Sequence, residues 1–202
     1  IGPKFGFLPN PGKTWIITKE DLIPYAIKIF EGTGIKMTSE GQRHLGAALG
    51  KPSFRASFMQ ENVNEWSEEI HILSEIARSE PQAAYAAFVA GYKHKISYCM
   101  RTIPGIEDQL KNLDDIVTSE FIPAITNGIN CSPHLRKLLS LPPKLGGLGI
   151  PIFSDMAKTE YNNSVNLTKH LTCSIIDQEK KIEHDHNNEK TKQEIKSSKQ
   201  RT

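Results

Sequence analysis

The sequence predicts an α+β fold: a short β-α-β-β opening, a mostly α-helical remainder and a polar tail. Three observations lead there. Residues 14–18 read T-W-I-I-T, a β-branched and aromatic run that follows a loop locked by Gly2, Pro3, Gly6, Pro9, Pro11 and Gly12. Beyond Lys51-Pro52, apolar residues return every three to five positions, the period of helices packed on one side. From Asp177 onward Lys, Glu, Asn, Gln and Ser dominate, and only Ile182 and Ile195 are apolar.

In the opening segment, Thr18 is placed to cap a helix over residues 19–30, with Glu20 and Asp21 in its first turn and Pro24 early enough to be tolerated. Ile23, Ala26, Ile27 and Phe30 form its apolar stripe, and Gly32 and Gly34 end it. Residues 35–37 and 43–49 then read as two strands joined by the turn Thr38-Ser-Glu-Gly41. Past the Lys51-Pro52 boundary, Phe54, Phe58, Val63, Trp66, Ile70, Leu73 and Ala77 predict one long helix. Pro81 opens an alanine-rich helix over 82–100, and Ile106, Leu110, Leu113, Val117 and Phe121 mark a third to about Ile125. Ser132 caps a shorter helix over 132–141. A glycine-rich turn over 142–151 precedes a last helix over 154–171. The tail buries too little apolar surface to offset its ordering entropy and is expected to be disordered or partly helical. The organisation expected is therefore 1–50, 51–172 and a polar tail at 173–202.

Composition bounds the function. With 38% hydrophobic and 24% charged residues the chain has the make-up of a core-forming protein. A formal net charge of only +2 means that nucleic-acid affinity must come from local basic patches, not from a global field. No apolar run approaches the roughly 20 residues that cross a bilayer, and the first residues lack a signal peptide's apolar core. Cys99, Cys131 and Cys173 are odd in number and far apart, which points to a reduced, intracellular setting, nuclear or cytoplasmic. The sequons beginning at Asn130, Asn162 and Asn166 are then expected to be chance. Beginning at Ile1 without an initiator Met, the chain is expected to be cut from something longer.

Gly12-Lys13-Thr14 invites a nucleotide-binding P-loop reading. The motif needs a glycine where Phe7 stands, Pro9 and Pro11 remove amide donors from the phosphate cradle, and a strand follows where a helix is required. Lys93, His94, Lys95 and Arg101 gather near the end of the second long helix, where they suit phosphate contacts or equally a solvated helix end favoured by the dipole. Lys144 lies beside Gly146-Gly147. His184 and His186 flank Asp185 in the tail without the folded context a metal site needs. Asp114-Asp115 reads as a solvated helix face.

A loop carrying Asn10 and Lys13, then a strand, a helix, and Arg43-His-Leu-Gly-Ala-Ala-Leu-Gly50 resembles the distal palm of a reverse transcriptase. The stretch Leu141-Pro-Pro-Lys-Leu-Gly-Gly-Leu-Gly-Ile150, followed by Asp155 and Ala157, is similar to the region after the thumb in LINE-type (non-LTR) retrotransposon polymerases. Tyr85-Ala-Ala-Phe88 and Arg101-Thr-Ile-Pro104 fit the same group. The resemblance covers residues 1–170.

It implies a palm end-piece over 1–50 and a helical thumb over 51–172, gripping an RNA/DNA primer–template. Lys13 would protonate the pyrophosphate leaving group, His44, Leu45 and Gly46 would bring backbone close to the primer, and Lys93, Lys95, Arg101 and Lys144 would meet phosphates. The Tyr-x-Asp-Asp carboxylates that hold Mg²⁺ in that family are absent, so the chain is expected to hold no cofactor, to take no small-molecule substrate and not to polymerise alone. Two other classes stay open: a helical protein-interaction module without catalytic ancestry, and a P-loop-like nucleotide binder.

Overall fold

The computed structural model describes residues 10–178, together with Lys4, Gly6, Glu189, Lys192, Gln193, Lys196 and Ser197. His184, His186 and most of the polar tail lie outside the described residues. The chain is α+β, mostly helical with two small sheets. It divides into two compact units, Ile1–Phe58 and Met59–Thr202.

In the first unit a 3-10 turn, Pro11–Lys13, leads into β1 (Trp15–Ile17). The helix expected over 19–30 is shorter: a 3-10 turn Glu20–Leu22 precedes α1 (Ile23–Ile29), with Pro24 in its first turn, where a missing N–H costs no ladder bond. Thr18 does not cap it; its amide instead donates to Thr38 O at 3.1 Å and so prolongs the sheet. β2 (Lys36–Thr38) pairs parallel with β1, Trp15 opposite Lys36 and Ile17 opposite Thr38. α1 packs against β2.

The hairpin expected between 35–37 and 43–49 is displaced along the chain. It is formed by β3 (Gly41–His44) and β4 (Ala47–Gly50), antiparallel, with Leu45-Gly46 as the two-residue turn. Both turn residues have positive φ, +49° and +85°, as a type I′ hairpin demands. A turn at 38–41 would have left β2 as the hairpin's partner, whereas β2 is taken by β1.

The second unit holds most of α2 (Pro52–Ala77) and the helices that follow. The long apolar stripe is confirmed on α2: Val63, Trp66, Ile70 and Ala77 are buried. Pro81 opens α3 (Pro81–Ala87), which runs through a π-helical turn, Phe88–Tyr92, into α4 (Lys93–Thr102). The third helix repeats the pattern: α5 (Glu107–Ile116), a π turn Val117–Phe121, and α6 (Ile122–Ile125). The two π turns carry the aromatic centre of the core, Phe88 stacking on Phe121 with centroids 4.7 Å apart and on Tyr92 at 5.7 Å.

Ser132 caps α7 (Pro133–Ser140) by accepting the Leu135 amide at 3.3 Å. A 3-10 turn, Pro143–Leu145, follows, and α8 (Phe153–Ile176) extends five residues past its expected end. Within the glycine-rich turn, Gly147 is fixed by crowding: a Cβ there would lie 2.0 Å from Leu141 O. α8 packs chiefly on α4 and α5. No helix among the described residues is long and apolar enough to cross a membrane.

Candidate nucleic-acid interface

The basic residues sort by what they touch. Lys95 on α4 is bound to Glu69 Oε1 at 2.7 Å, with Glu65 3.5 Å away. Partial burial pulls its pKa down, but the two carboxylates outweigh that and leave it raised. Arg101 donates through Nε to Glu160 Oε2 at 2.9 Å, and that carboxylate is buried on α8. These two cations join helix to helix. Lys93 is half-buried and His94 exposed. Lys144 is exposed in the Pro143–Leu145 turn. The four basic residues expected to meet phosphate thus do not form one surface of free charge.

Asp114 overturns its reading as part of a solvated face. It is buried, and its two carboxylate oxygens accept the backbone amides of Phe153 at 2.8 Å and Ser154 at 2.9 Å. Arg136, also buried, stands 3.8 Å from it and donates to Thr118 Oγ1, Ile150 O and Pro151 O at 3.0, 2.8 and 2.6 Å. Burial raises the Asp114 carboxyl above its ordinary range, against the pull of the Ser154 and Phe153 bonds and of Arg136. Burial lowers the Arg136 guanidinium, which Asp114 partly offsets. Tyr85 Oη donates to Leu148 O at 2.6 Å, so the glycine-rich turn is held from α3 and α7 together. This is a fastening, and its signal was present in the sequence. Asp114 follows Leu110 by four and precedes Val117 by three, on the buried stripe of its helix.

The first unit is different. Residues 1–58 contain eight Lys and Arg against four Asp and Glu, a net +4, whereas residues 59–202 contain seventeen against nineteen, a net −2. Among the described residues, Lys51 is the one cation of this unit taken up by acids, Glu40 at 2.6 Å and Glu20 at 3.9 Å. Its hydrogen bond holds the Glu40 carboxyl below the usual range. Lys4, Lys13, Lys19, Lys28, Lys36 and Arg43 are exposed, and none has an ion pair among the described residues.

Lys13 closes the Pro11–Lys13 turn, its own amide donating to Asn10 O and the Thr14 amide to Pro11 O, both at 3.1 Å. Those amides therefore do not converge on a phosphate as a P-loop's would. His44 is exposed beside the hairpin tip, and Leu45 at the tip is 82% exposed. Among the described residues no three His, Cys, Asp or Glu side chains gather as a metal site would require.

On one face of the β1–β2 pair the register places Trp15, Ile17, Lys36 and Thr38 together. Lys36 Nζ lies 5.3 Å from the centroid of the Trp15 ring. Trp15 is 37% exposed.

Comparison with known proteins corrects the family expectation. The sequence is 32% identical over 107 residues to the large ribosomal subunit protein uL1 of Corynebacterium glutamicum strain R, and equally to that of a second strain of the species. The matched stretch is 53% of this chain and 39% of that protein, so the chain spans well under half of the curated relatives' length. No protein-family model matches, and no solved structure matches. Both of these relatives are ribosomal proteins, and nothing in the comparisons points to a reverse transcriptase. The retroelement reading is overturned. The leaving-group role of Lys13 and the primer contacts of His44, Leu45 and Gly46 came with that resemblance and lose their basis. The interaction-module and P-loop alternatives gain no support from these matches.

Proposed function

We propose that this chain is a non-catalytic RNA-binding component of a ribosomal particle, working in the cytoplasm and needing no cofactor. The segregation of charge carries this reading. A +4 segment with six exposed cations, beside a −2 remainder whose best-placed cations are tied to carboxylates, concentrates attraction for phosphate in the first unit. The similarity to a large ribosomal subunit protein supports RNA as the polyanion.

Fluorescence anisotropy of a labelled RNA titrated with the full chain, with and without EDTA, tests it. Binding should persist in EDTA and weaken steeply with salt, log K falling by about 0.7 per neutralised single-strand phosphate for each unit of log salt. Reversal of Lys13, Lys19 and Lys28 to Glu should abolish measurable binding while leaving the far-ultraviolet circular dichroism unchanged, because these side chains are exposed. No binding at low salt, or binding indifferent to the three reversals, would overturn the reading.

A further inference from the structure

The exposed face of the β1–β2 pair carries an aromatic ring where a solvated sheet face ordinarily presents polar residues. We propose that this face is a stacking platform for single-stranded RNA, with the Trp15 indole receiving an unpaired base and Lys13, Lys19 and Lys36 taking the flanking phosphates. The inference rests on the RNA-binding reading above and names the form of RNA and the ring that meets it.

Four observations converge. Trp15 and Ile17 are both exposed, while Ile16 between them is turned inward and half-buried. The Lys36 ammonium lies over the Trp15 ring, 5.3 Å from its centroid, in the place that a stacked base would take. The cations bracket the strand: Lys13 two residues before Trp15, Lys19 two residues after Ile17, and Lys36 opposite Trp15 in register. No carboxylate belongs to the face, whose four residues are Trp15, Ile17, Lys36 and Thr38.

Stacking selects the ligand. A base lends its face to an indole only when that face is not already covered by its neighbours, so single strands fit and a continuous duplex does not. On binding, the base takes the ammonium's place over the ring, and Lys36 turns to a phosphate, where a full charge awaits it. A second copy of this chain is the competing occupant, because Trp15 and Ile17 offer apolar surface. Charge argues against it: each copy would bring the same net +4 segment to the other.

The chain contains two tryptophans, and Trp66 is only 1% exposed, so a ligand that stacks on Trp15 has one accessible indole to quench. Intrinsic fluorescence and anisotropy are followed together as the full chain is titrated with labelled oligouridylate of about twelve nucleotides, a length within the range one small platform engages. A duplex of equal length is the comparison. Quenching that parallels binding, weaker binding of the duplex, and a loss of roughly fivefold to a hundredfold with Trp15→Ala are expected, from the usual worth of one stacked base. Trp15→Phe, which keeps a π-face, should restore most of the affinity, whereas Trp15→Leu, which keeps apolar bulk alone, should not.

If RNA binds without quenching, or binds equally well after Trp15→Ala, or prefers the duplex, the platform is overturned while the RNA-binding reading stands. If no RNA binds at low salt, both fall. Sedimentation showing a dimer whose Trp15 is shielded from acrylamide before RNA is added would assign the face to a second copy and overturn the platform.

Discussion

The carboxylate of Asp114 accepts the backbone amide of Phe153 at 2.8 Å, so that a residue of α5 caps the start of α8 across 39 positions of sequence. α8 has no capping side chain at its own N-cap, Ile152, and the amides of its first turn would otherwise lie buried without acceptors. Asp114→Ala removes both acceptors and leaves Arg136 buried without its carboxylate. It should cost about 2–4 kcal/mol of stability, measured by urea unfolding.

The same carboxyl carries a pH signature. Burial raises its folded-state pKa above the unfolded value, so the folded chain holds the proton more tightly. Its contribution to stability is fully present below the unfolded value of about 3.9 and is lost as pH rises through the folded one. Asp114→Asn should remove this descending limb from the stability–pH curve while costing less than alanine at neutral pH, since its amide oxygen still accepts. A mutant curve parallel to that of the unmutated chain would refute the assignment.

Tyr92 gives a limb at the other end of the scale. Burial first, then Glu69 and Glu65, raises its phenol far above the ordinary value, and its hydroxyl donates to Trp66 O at 2.6 Å. Folded Tyr92 keeps its proton where the unfolded chain gives it up, so its stabilisation holds below about pH 10 and is lost as pH rises beyond. Ultraviolet titration should show Tyr92 ionising only with unfolding, its step missing from the titration of Tyr92→Phe. Tyr92→Phe should cost about 1 kcal/mol at neutral pH and flatten the alkaline decline.

Arg101 separates structural from RNA-binding charge. Its guanidinium holds a buried Glu160 carboxylate between α4 and α8, although Arg101 itself is half exposed. Arg101→Ala should lower stability by about 1–2 kcal/mol, short of a fully buried pair because solvent screens one side. RNA affinity at a temperature where the mutant remains folded should be unchanged. A large loss of affinity there would place RNA on the helical unit.

What was legible in the sequence is what local chemistry decides. The stripe from Val63 to Ala77, Pro81 at a helix start and Ser132 as a cap each depend on residues within a few positions, and the helices stand where those signals put them. The π turns at Phe88 and Val117 had no such signal, because the extra residue in each is tolerated where Phe88 and Phe121 must meet across the core. Pairing was also non-local. β2 joined β1 across an intervening helix, and Lys95 and Arg101 found acids 26 and 59 positions away. A net charge of +2 concealed the opposing balances of the two units, which counting by segment would have revealed.

The hairpin turn Leu45-Gly46 places a branched apolar residue at positive φ. Leucine at φ +49° pays for a conformation that suits asparagine, and its side chain is 82% exposed. Leu45→Asn installs the Asn-Gly pair that favours a type I′ hairpin and should stabilise β3–β4 by about 0.5–1 kcal/mol. Amide hydrogen exchange should show the gain at the Gln42 and Leu49 rungs of the ladder, which lie opposite each other. Had the turn lain at 38–41 instead, the substitution would fall inside a strand, where asparagine is disfavoured, and protection of those amides would decrease.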